Sequence, residues 1–142
     1  MDRDEQTMDM KDWQCMDQHV ATLLRLSGLL PKTLEIGPLL AEAKRIEKTL
    51  GDGLRGLAAK YPVIGEVRGK GAMLAIEFVD PATNEPNAQA VTDVINAAAQ
   101  KGVLLLNAGA SYNVIRFLPS VKTSDALLNE VIEVLDECIG AL

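Results

Sequence analysis

The sequence has few of the residues that build metal sites or disulfide frameworks. Only two cysteines occur, Cys15 and Cys138, near opposite ends of the 142-residue chain, and His19 is the single histidine. The chain therefore contains neither a CxxC pair nor a cysteine and histidine cluster, so we predict no metal site. Two isolated cysteines favour a reduced compartment, and we expect a cytoplasmic protein.

Long apolar runs and basic clusters are also missing. No stretch approaches the roughly 20 apolar residues that span a bilayer, and the acidic start MDRDEQ lacks the basic segment of a secretory signal. With 14 basic and 20 acidic residues, the formal net charge is -6. We therefore expect neither a membrane nor nucleic acid as a partner.

Aromatic residues are scarce at 4%, whereas hydrophobic residues make up 48% of the sequence and charged residues 24%. These values are typical of a soluble globular protein, and the length suits one domain. We expect a single core that consists mainly of leucine, valine, isoleucine and alanine.

The first part of the chain differs in pattern from the rest. Residues 1–18 are rich in acidic side chains and methionine and lack a sustained apolar period. A short helix on Val20, Leu23 and Leu24 could follow, stopped by Gly28 and Pro31. We predict that residues 1–36 are an appended segment, partly disordered or helical, and that residues 37–142 are the folded domain.

Apolar periodicity then predicts one helix followed by two strands. From Leu39, helical spacing relates a set of apolar residues, and Tyr61-Pro62 ends the helix; the set is Ala43, Ile46, Leu50, Leu54 and Leu57. Strands are expected over Ile64–Arg68 and Met73–Phe78, joined through Gly69-Lys70-Gly71.

A similar unit follows and ends in one more helix. Val91, Val94 and Ala98 mark a helix, after which VLLLN and NVIRFLP are predicted to form two buried strands. Ser124 and Asp125 can cap the last helix. The order αββαββα predicts an α+β fold, with a mostly antiparallel sheet of about four strands and helices mainly on one face.

The segment GEVRGKG resembles a phosphate-binding loop only superficially. A dinucleotide motif would need glycine at Leu74, and a Walker loop needs serine or threonine after its GK pair, where Gly71 stands. A tight turn is the better interpretation. Lys70 and Lys101 lie at predicted turns, so neither has the buried setting that lowers an amine pKa for Schiff-base chemistry.

Arg116 is the most informative residue, because it stands in the middle of the apolar segment NVIRFLP. An unpaired guanidinium among apolar side chains would be costly, so Arg116 must meet an anion, reach water or line a site. One interpretation is an ion pair with Glu66, Glu77 or another acid. The other is capture of a substrate carboxylate by two parallel hydrogen bonds, next to the small-residue loop NAGASYN.

Three long motifs carry a resemblance to a known family: AKYPVIGEVRGKGAMLAIEFVDPATNEPNA, KGVLLLNAGASYNVIRFLP and DALLNEVIEVL. From about Ala41 to Leu142, the chain resembles the C-terminal small domain of class-III, pyridoxal-phosphate-dependent aminotransferases, most closely the bacterial 4-aminobutyrate aminotransferases. The resemblance implies the small-domain fold and a transaminase that uses 2-oxoglutarate and glutamate as one co-substrate pair.

The resemblance also implies a role for Arg116, since the family's arginine at this position binds a substrate carboxylate. The sequence departs from the family just afterwards, where family members continue with a second proline and an apolar run and this chain has Ser120, Val121, Lys122 and Thr123. The Schiff-base lysine, the acid beside the pyridinium nitrogen and the phosphate-binding residues belong to a preceding large domain in the family. We therefore expect a fragment or isolated small domain that does not hold the cofactor alone and is inactive alone.

Two functional hypotheses follow from the resemblance. In the first, a large domain completes the site, and amino-acid and 2-oxo-acid substrates are the partners. In the second, the chain is a non-enzymatic remnant that binds ligands or self-associates through the face that a large domain would cover, and it forms homo-oligomers.

Overall fold

The computed structural model describes residues 36–142. The predictions for residues 1–35, including the short helix near Val20 and the settings of Cys15 and His19, lie outside the described residues. The domain boundary near residue 37 stays a prediction.

Within this range the chain forms three helices and four strands in the predicted order. The elements are α1 (Ile36–Lys60), β1 (Ile64–Lys70), β2 (Met73–Phe78), α2 (Ala88–Gln100), β3 (Leu106–Ala108), β4 (Val114–Phe117) and α3 (Asp125–Gly140). None of these helices is both long enough and apolar enough to cross a membrane.

Helix α1 continues through Gly51, Gly53 and Gly56 up to the predicted end before Pro62. Its apolar stripe packs into the core, and this packing compensates for the low helix propensity of glycine. Gly53 has a packing reason: a Cβ there would lie 2.2 Å from Cδ1 of Ile132 in α3. The absence of a side chain at Gly53 thus lets α1 and α3 approach closely.

The four strands form one fully antiparallel sheet in the order β1, β2, β4, β3. Strands β1 and β2 make the predicted hairpin. Strand β4 then lies between β2 and β3, so the chain crosses over through α2 before β4 returns to the centre. The sheet therefore brings β4, which carries Arg116, directly beside β2.

One face of the sheet contributes to the core together with all three helices. Side chains alternate along each strand, and every second residue of β2 is buried. The core cluster includes Ile46, Leu50 and Leu54 of α1, Leu74, Ile76 and Phe78 of β2, Val91, Val94 and Ala98 of α2, Ile115 and Phe117 of β4, and Leu128, Leu135 and Ile139 of α3. The predicted α+β fold is confirmed, with the helices packed against one sheet face.

The prediction of a buried strand at VLLLN is wrong. The strand begins only at Leu106, and it is an edge strand, paired on one side with β4. Leu104 and Leu106 are 88% and 61% exposed. Their apolar character indicated burial, but the position of β3 at the sheet edge leaves them uncovered. Leu118, predicted within the second buried strand, is also exposed, as is Leu127 in the first turn of α3.

The helix caps follow local sequence signals. The Ser124 hydroxyl accepts a hydrogen bond from the Leu127 amide, as the predicted cap requires. Asn87, which the sequence analysis did not identify, caps α2 by accepting from the Ala90 amide at 3.0 Å. Both caps satisfy an amide that the first turn of a helix leaves without a backbone partner.

Candidate functional site

The face of the sheet opposite the helices, here called the open face, carries the charged strand residues. Across the strands, Arg68 is in register with Ala75, Ala75 with Arg116, and Arg116 with Leu106. Residues that lie directly opposite in a sheet project on the same side. The four side chains therefore form one row, with the small Ala75 between the two arginines.

Arg116 is exposed on this face, whereas its neighbours Ile115 and Phe117 are buried on the other. Among residues 38–142, no carboxylate oxygen lies within 4.0 Å of the Arg116 guanidinium. The two acids proposed as its partners, Glu66 and Glu77, both pair with Arg68 instead. The interpretation of an ion pair between Arg116 and Glu66 or Glu77 is therefore wrong.

Glu77 is held from two sides. Arg68 donates through Nη1 to Oε2 of Glu77, and Nδ2 of Asn113 lies 3.3 Å from Oε1. The hydrogen bond from Arg68 lowers the pKa of Glu77, and the Asn113 amide adds to this effect, while partial burial opposes it. The same contact with Glu77 raises the pKa of Arg68. Glu77 is thus ionised at neutral pH and already bound within the sheet.

The loop between β3 and β4 is anchored by Asn113, which is 4% exposed. Its side-chain amide donates to the Phe78 carbonyl at 2.9 Å, and its own carbonyl accepts from the Phe78 amide at 2.7 Å. Gly109 and Tyr112 have positive φ angles of 84° and 54° and make the turn that precedes this anchor. The loop therefore sets where β4 begins and so where Arg116 stands.

The glycine-rich hairpin between β1 and β2 is a structural turn, as predicted. The Gly71 amide donates to the Glu47 carboxylate at 2.9 Å, which ties the hairpin tip to α1. Lys70 is exposed at the end of β1. Arg68, in the same segment, was not predicted to be a site residue. Its alternation with Glu66, opposite a strand that contains Glu77, was a detectable sign of a cross-strand ion cluster.

The lysines of residues 36–142 do not suit a Schiff base with pyridoxal phosphate. All of them are exposed: Lys44, Lys48, Lys60, Lys70, Lys101 and Lys122. Asp136 accepts a hydrogen bond from Lys60 and Glu137 accepts one from Lys101, and these bonds raise the pKa of both amines. A nucleophilic lysine needs the opposite shift, so neither Lys60 nor Lys101 fits that role. This part of the chain also contains no group of three potential metal ligands.

A cavity of about 430 Å³ lies between the edge of the sheet and the first turns of α3. Leucines dominate its walls, with Leu104 and Leu106 on one side and Leu127 on the other. Arg116 and Lys101 are among its lining residues. Its size falls within the range of small-molecule sites, which are mostly apolar with a few polar groups.

Comparison with known proteins identifies the family. The profile of class-III aminotransferases matches residues 25–139. The chain is 40% identical over 104 residues to the 5-aminovalerate aminotransferase of Pseudomonas putida, covering 73% of this chain and 24% of that protein. It is 40% identical over 108 residues to the 4-aminobutyrate aminotransferase of Escherichia coli K12, covering 75% of this chain and 25% of the relative.

Solved structures agree with this assignment. An amine transaminase from an uncultivated Pseudomonas species, determined in its PLP-bound internal aldimine form, matches with a TM-score of 0.64 and 30% identity, over 75% of this chain and 24% of that one. The N-acetylornithine aminotransferase of Stenotrophomonas maltophilia matches with a TM-score of 0.62 and 32% identity, over 72% of this chain and 26% of its own. The chain thus spans about a quarter of the length of these relatives. By sequence and by fold, the chain belongs to the class-III aminotransferases.

Proposed function

We propose that this chain provides the small-domain part of a pyridoxal-phosphate-dependent transaminase, and that Arg116 binds a carboxylate of the substrate. The relatives act on 4-aminobutyrate and 5-aminovalerate by name, so a terminal amino acid of this kind is the proposed donor. The proposed acceptor is 2-oxoglutarate, which becomes glutamate. Whether the substrate is the amino acid or the 2-oxo acid, it presents a carboxylate that a cation can bind.

The observation that carries this proposal is the state of the Arg116 guanidinium. It is exposed on the open face and has no acidic partner within residues 38–142. A planar guanidinium of this kind can bind a carboxylate through two parallel hydrogen bonds. Arg68 is less suitable, because two carboxylates already occupy it. Arg116 is therefore the better-placed cation of the pair.

The proposal divides the site between two parts of a family-length protein. The lysines of residues 36–142 are all exposed, and Lys60 and Lys101 are ion-paired, which favours a cofactor lysine outside this region. In the resemblance described above, the large domain supplies that lysine together with the groups that bind the ring and the phosphate. Arg116 then orients the substrate toward a cofactor held by that domain. A cytoplasmic location, expected from the cysteine pattern, is part of the same proposal.

Incubation of the purified chain with pyridoxal phosphate tests this division. After borohydride reduction, we expect no stoichiometric lysine adduct, and no amino transfer from 4-aminobutyrate to 2-oxoglutarate. Addition of a large domain from a relative should be required for turnover. Turnover by the chain alone would refute the division of the site.

The role of Arg116 can be tested separately by binding. Glutarate, a dicarboxylate, should shift the Arg116 side-chain Nε–Hε resonance in an NMR titration of the full chain, and Arg116→Gln should abolish saturable binding. Arg55→Gln is the matched control, since Arg55 is an exposed arginine of α1 that pairs with Asp52. Equal glutarate affinity in wild type and Arg116→Gln would contradict the carboxylate role.

A second candidate function is self-association, and the exposed leucines at the β3 edge favour it. Leu104, Leu106 and Leu118 are between 61% and 88% exposed and lie near one another around the cavity. An uncovered edge strand with apolar side chains can pair with a second copy. Sedimentation velocity should then show a dimer that Leu106→Lys dissociates. A monomer at all accessible concentrations would exclude this function.

A further inference from the structure

Glu77 occupies a symmetric position between the two arginines of the open face. Arg68 and Arg116 are both in register with Ala75, one on each side of β2. Glu77 lies two residues further along β2 on the same face, so it is a diagonal neighbour of both arginines. Diagonal neighbours are about 7–8 Å apart in a sheet, a distance that arginine and glutamate side chains can bridge. Register alone therefore allows Glu77 to pair with either arginine.

The structure shows that Glu77 pairs on the Arg68 side. Its Oε2 accepts from Arg68, and its Oε1 faces the Asn113 amide. Asn113 is itself fixed by its hydrogen bonds with Phe78. Both carboxylate oxygens of Glu77 thus have donors other than Arg116.

Glu66 strengthens this arrangement. Glu66 and Glu77 lie directly opposite each other on β1 and β2, and like charges in this position repel. Arg68 donates to Oε2 of both and offsets the repulsion. If Arg68 lost its charge, the nearest remaining guanidinium on this face for Glu77 would be that of Arg116.

We propose that Arg68 is a positioning residue that, with Asn113, holds Glu77 away from Arg116 and so keeps Arg116 free for a carboxylate from outside the sheet. The inference rests on the carboxylate role proposed for Arg116, and it identifies Glu77 as an anion within the sheet that competes for the same guanidinium. Glu77 is an anion that would compete with the substrate, and Arg68 prevents this competition.

Removing the charge of Arg68 should therefore weaken glutarate binding at Arg116, because Arg68 acts on Arg116 through Glu77 and not through the ligand. An exposed ion pair between Glu77 and Arg116 would occupy the guanidinium for most of the time, and the apparent dissociation constant for glutarate should rise about three- to sixfold. Removal of the competitor in Arg68→Gln/Glu77→Gln should restore the affinity. Arg68→Lys keeps a cation beside Glu77, so it should stay close to wild type.

The first experiment measures glutarate binding to the full chain through the Arg116 Nε–Hε resonance in these three variants, with Arg55→Gln as the matched control. Among these variants, we expect glutarate to bind more weakly than in wild type only in Arg68→Gln. Equal affinity in Arg68→Gln and wild type would overturn the inference, and so would failure of Glu77→Gln to rescue the affinity. Far-ultraviolet circular dichroism establishes that each variant is folded. If Arg68→Gln does not fold, weaker glutarate binding by Arg68→Lys than by wild type would overturn the inference.

The second experiment needs no ligand and separates the two proposals. The pKa of Glu77, measured by carbon NMR, should remain below its ordinary value of 4.5 in Arg68→Gln, because Arg116 replaces the lost partner. It should rise toward 4.5 in Arg68→Gln/Arg116→Gln. If Arg68→Gln alone produces the full rise, Arg116 does not capture Glu77 and the inference fails. If the pKa of Glu77 behaves as expected but glutarate never shifts the Arg116 Nε–Hε resonance, the carboxylate role of Arg116 fails. The conclusion that Glu77 can pair with Arg116 when Arg68 is neutral would stand.

Discussion

Gly69, which follows Arg68 near the end of β1, is the position where a single methyl group should be most damaging. Its φ angle is +141°, a region that residues with a Cβ rarely adopt. A Cβ built there would lie 2.2 Å from the Met73 carbonyl oxygen and 2.7 Å from the Leu74 Cα. Both atoms belong to the paired strand β2, so neither can move without displacing the hairpin.

The magnitude of the Gly69→Ala effect follows from two contributions. Backbone strain at such an angle costs about 1–3 kcal/mol. Forcing extra volume against packed atoms costs roughly another 1–3 kcal/mol. We therefore expect the free energy of unfolding to fall by about 2–6 kcal/mol, a large part of the ~5–15 kcal/mol typical of a domain.

Gly56→Ala is the matched control, because it makes the same chemical change in a different setting. Gly56 lies in α1, and a Cβ placed there has no atom within 4 Å apart from its chain neighbours and the nearby backbone of its own helix. Alanine favours the helix over glycine by up to about 1 kcal/mol, so this variant should be more stable than wild type. The two glycine-to-alanine changes should thus have opposite signs.

Urea unfolding followed by circular dichroism measures both variants, with the free energy taken by linear extrapolation. A Gly69→Ala variant within about 0.5 kcal/mol of wild type would show that the hairpin absorbs the methyl group, and the argument from φ and backbone contact would be wrong. A Gly56→Ala variant less stable than wild type would show that the added Cβ does meet neighbouring atoms.

Two further predictions concern the polar contacts. Asn113→Ala removes one of two donors to the Phe78 carbonyl, which keeps the Asn87 amide, and should lower the free energy of unfolding by about 0.5–1.5 kcal/mol in the same urea assay; an unchanged midpoint would contradict the anchoring role. The Lys60 ammonium lowers the pKa of Asp136 in the folded state, so this carboxylate stabilises the fold above its ordinary pKa of 3.8 and the contribution is lost as pH falls through the lower folded value. The urea midpoint should therefore decrease less steeply below pH 4 in Asp136→Asn than in wild type, and parallel pH profiles would exclude the contact as a source of acid sensitivity.

Local pattern was sufficient to predict the elements and their order. Helical spacing over α1, α2 and α3 and the short apolar runs of β1, β2 and β4 predicted each element, because these periodicities depend only on residues close in sequence. The cap at Ser124 was predictable for the same reason. The failure at VLLLN has a physical cause, since an apolar run indicates burial but does not reveal that its strand lies at a sheet edge.

The candidate site was predictable only in part. An arginine inside NVIRFLP had to leave the core, and Arg116 is indeed exposed. That neither Glu66 nor Glu77 pairs with Arg116 could not be deduced, because both acids are far from it in sequence and equally suitable in charge. Arg68 was overlooked, although its alternation with Glu66 in β1, opposite the strand that contains Glu77, indicated a cross-strand ion cluster.

The amino-acid sequence by itself determined which segments form helices or strands and that Arg116 cannot remain among apolar side chains. Only the tertiary structure decided which arginine the acids bind. The placement of β4 beside β2 put Arg68 and Arg116 on either side of Ala75. Ion pairing depends on distances of a few ångströms between residues remote in sequence, and strand register sets those distances.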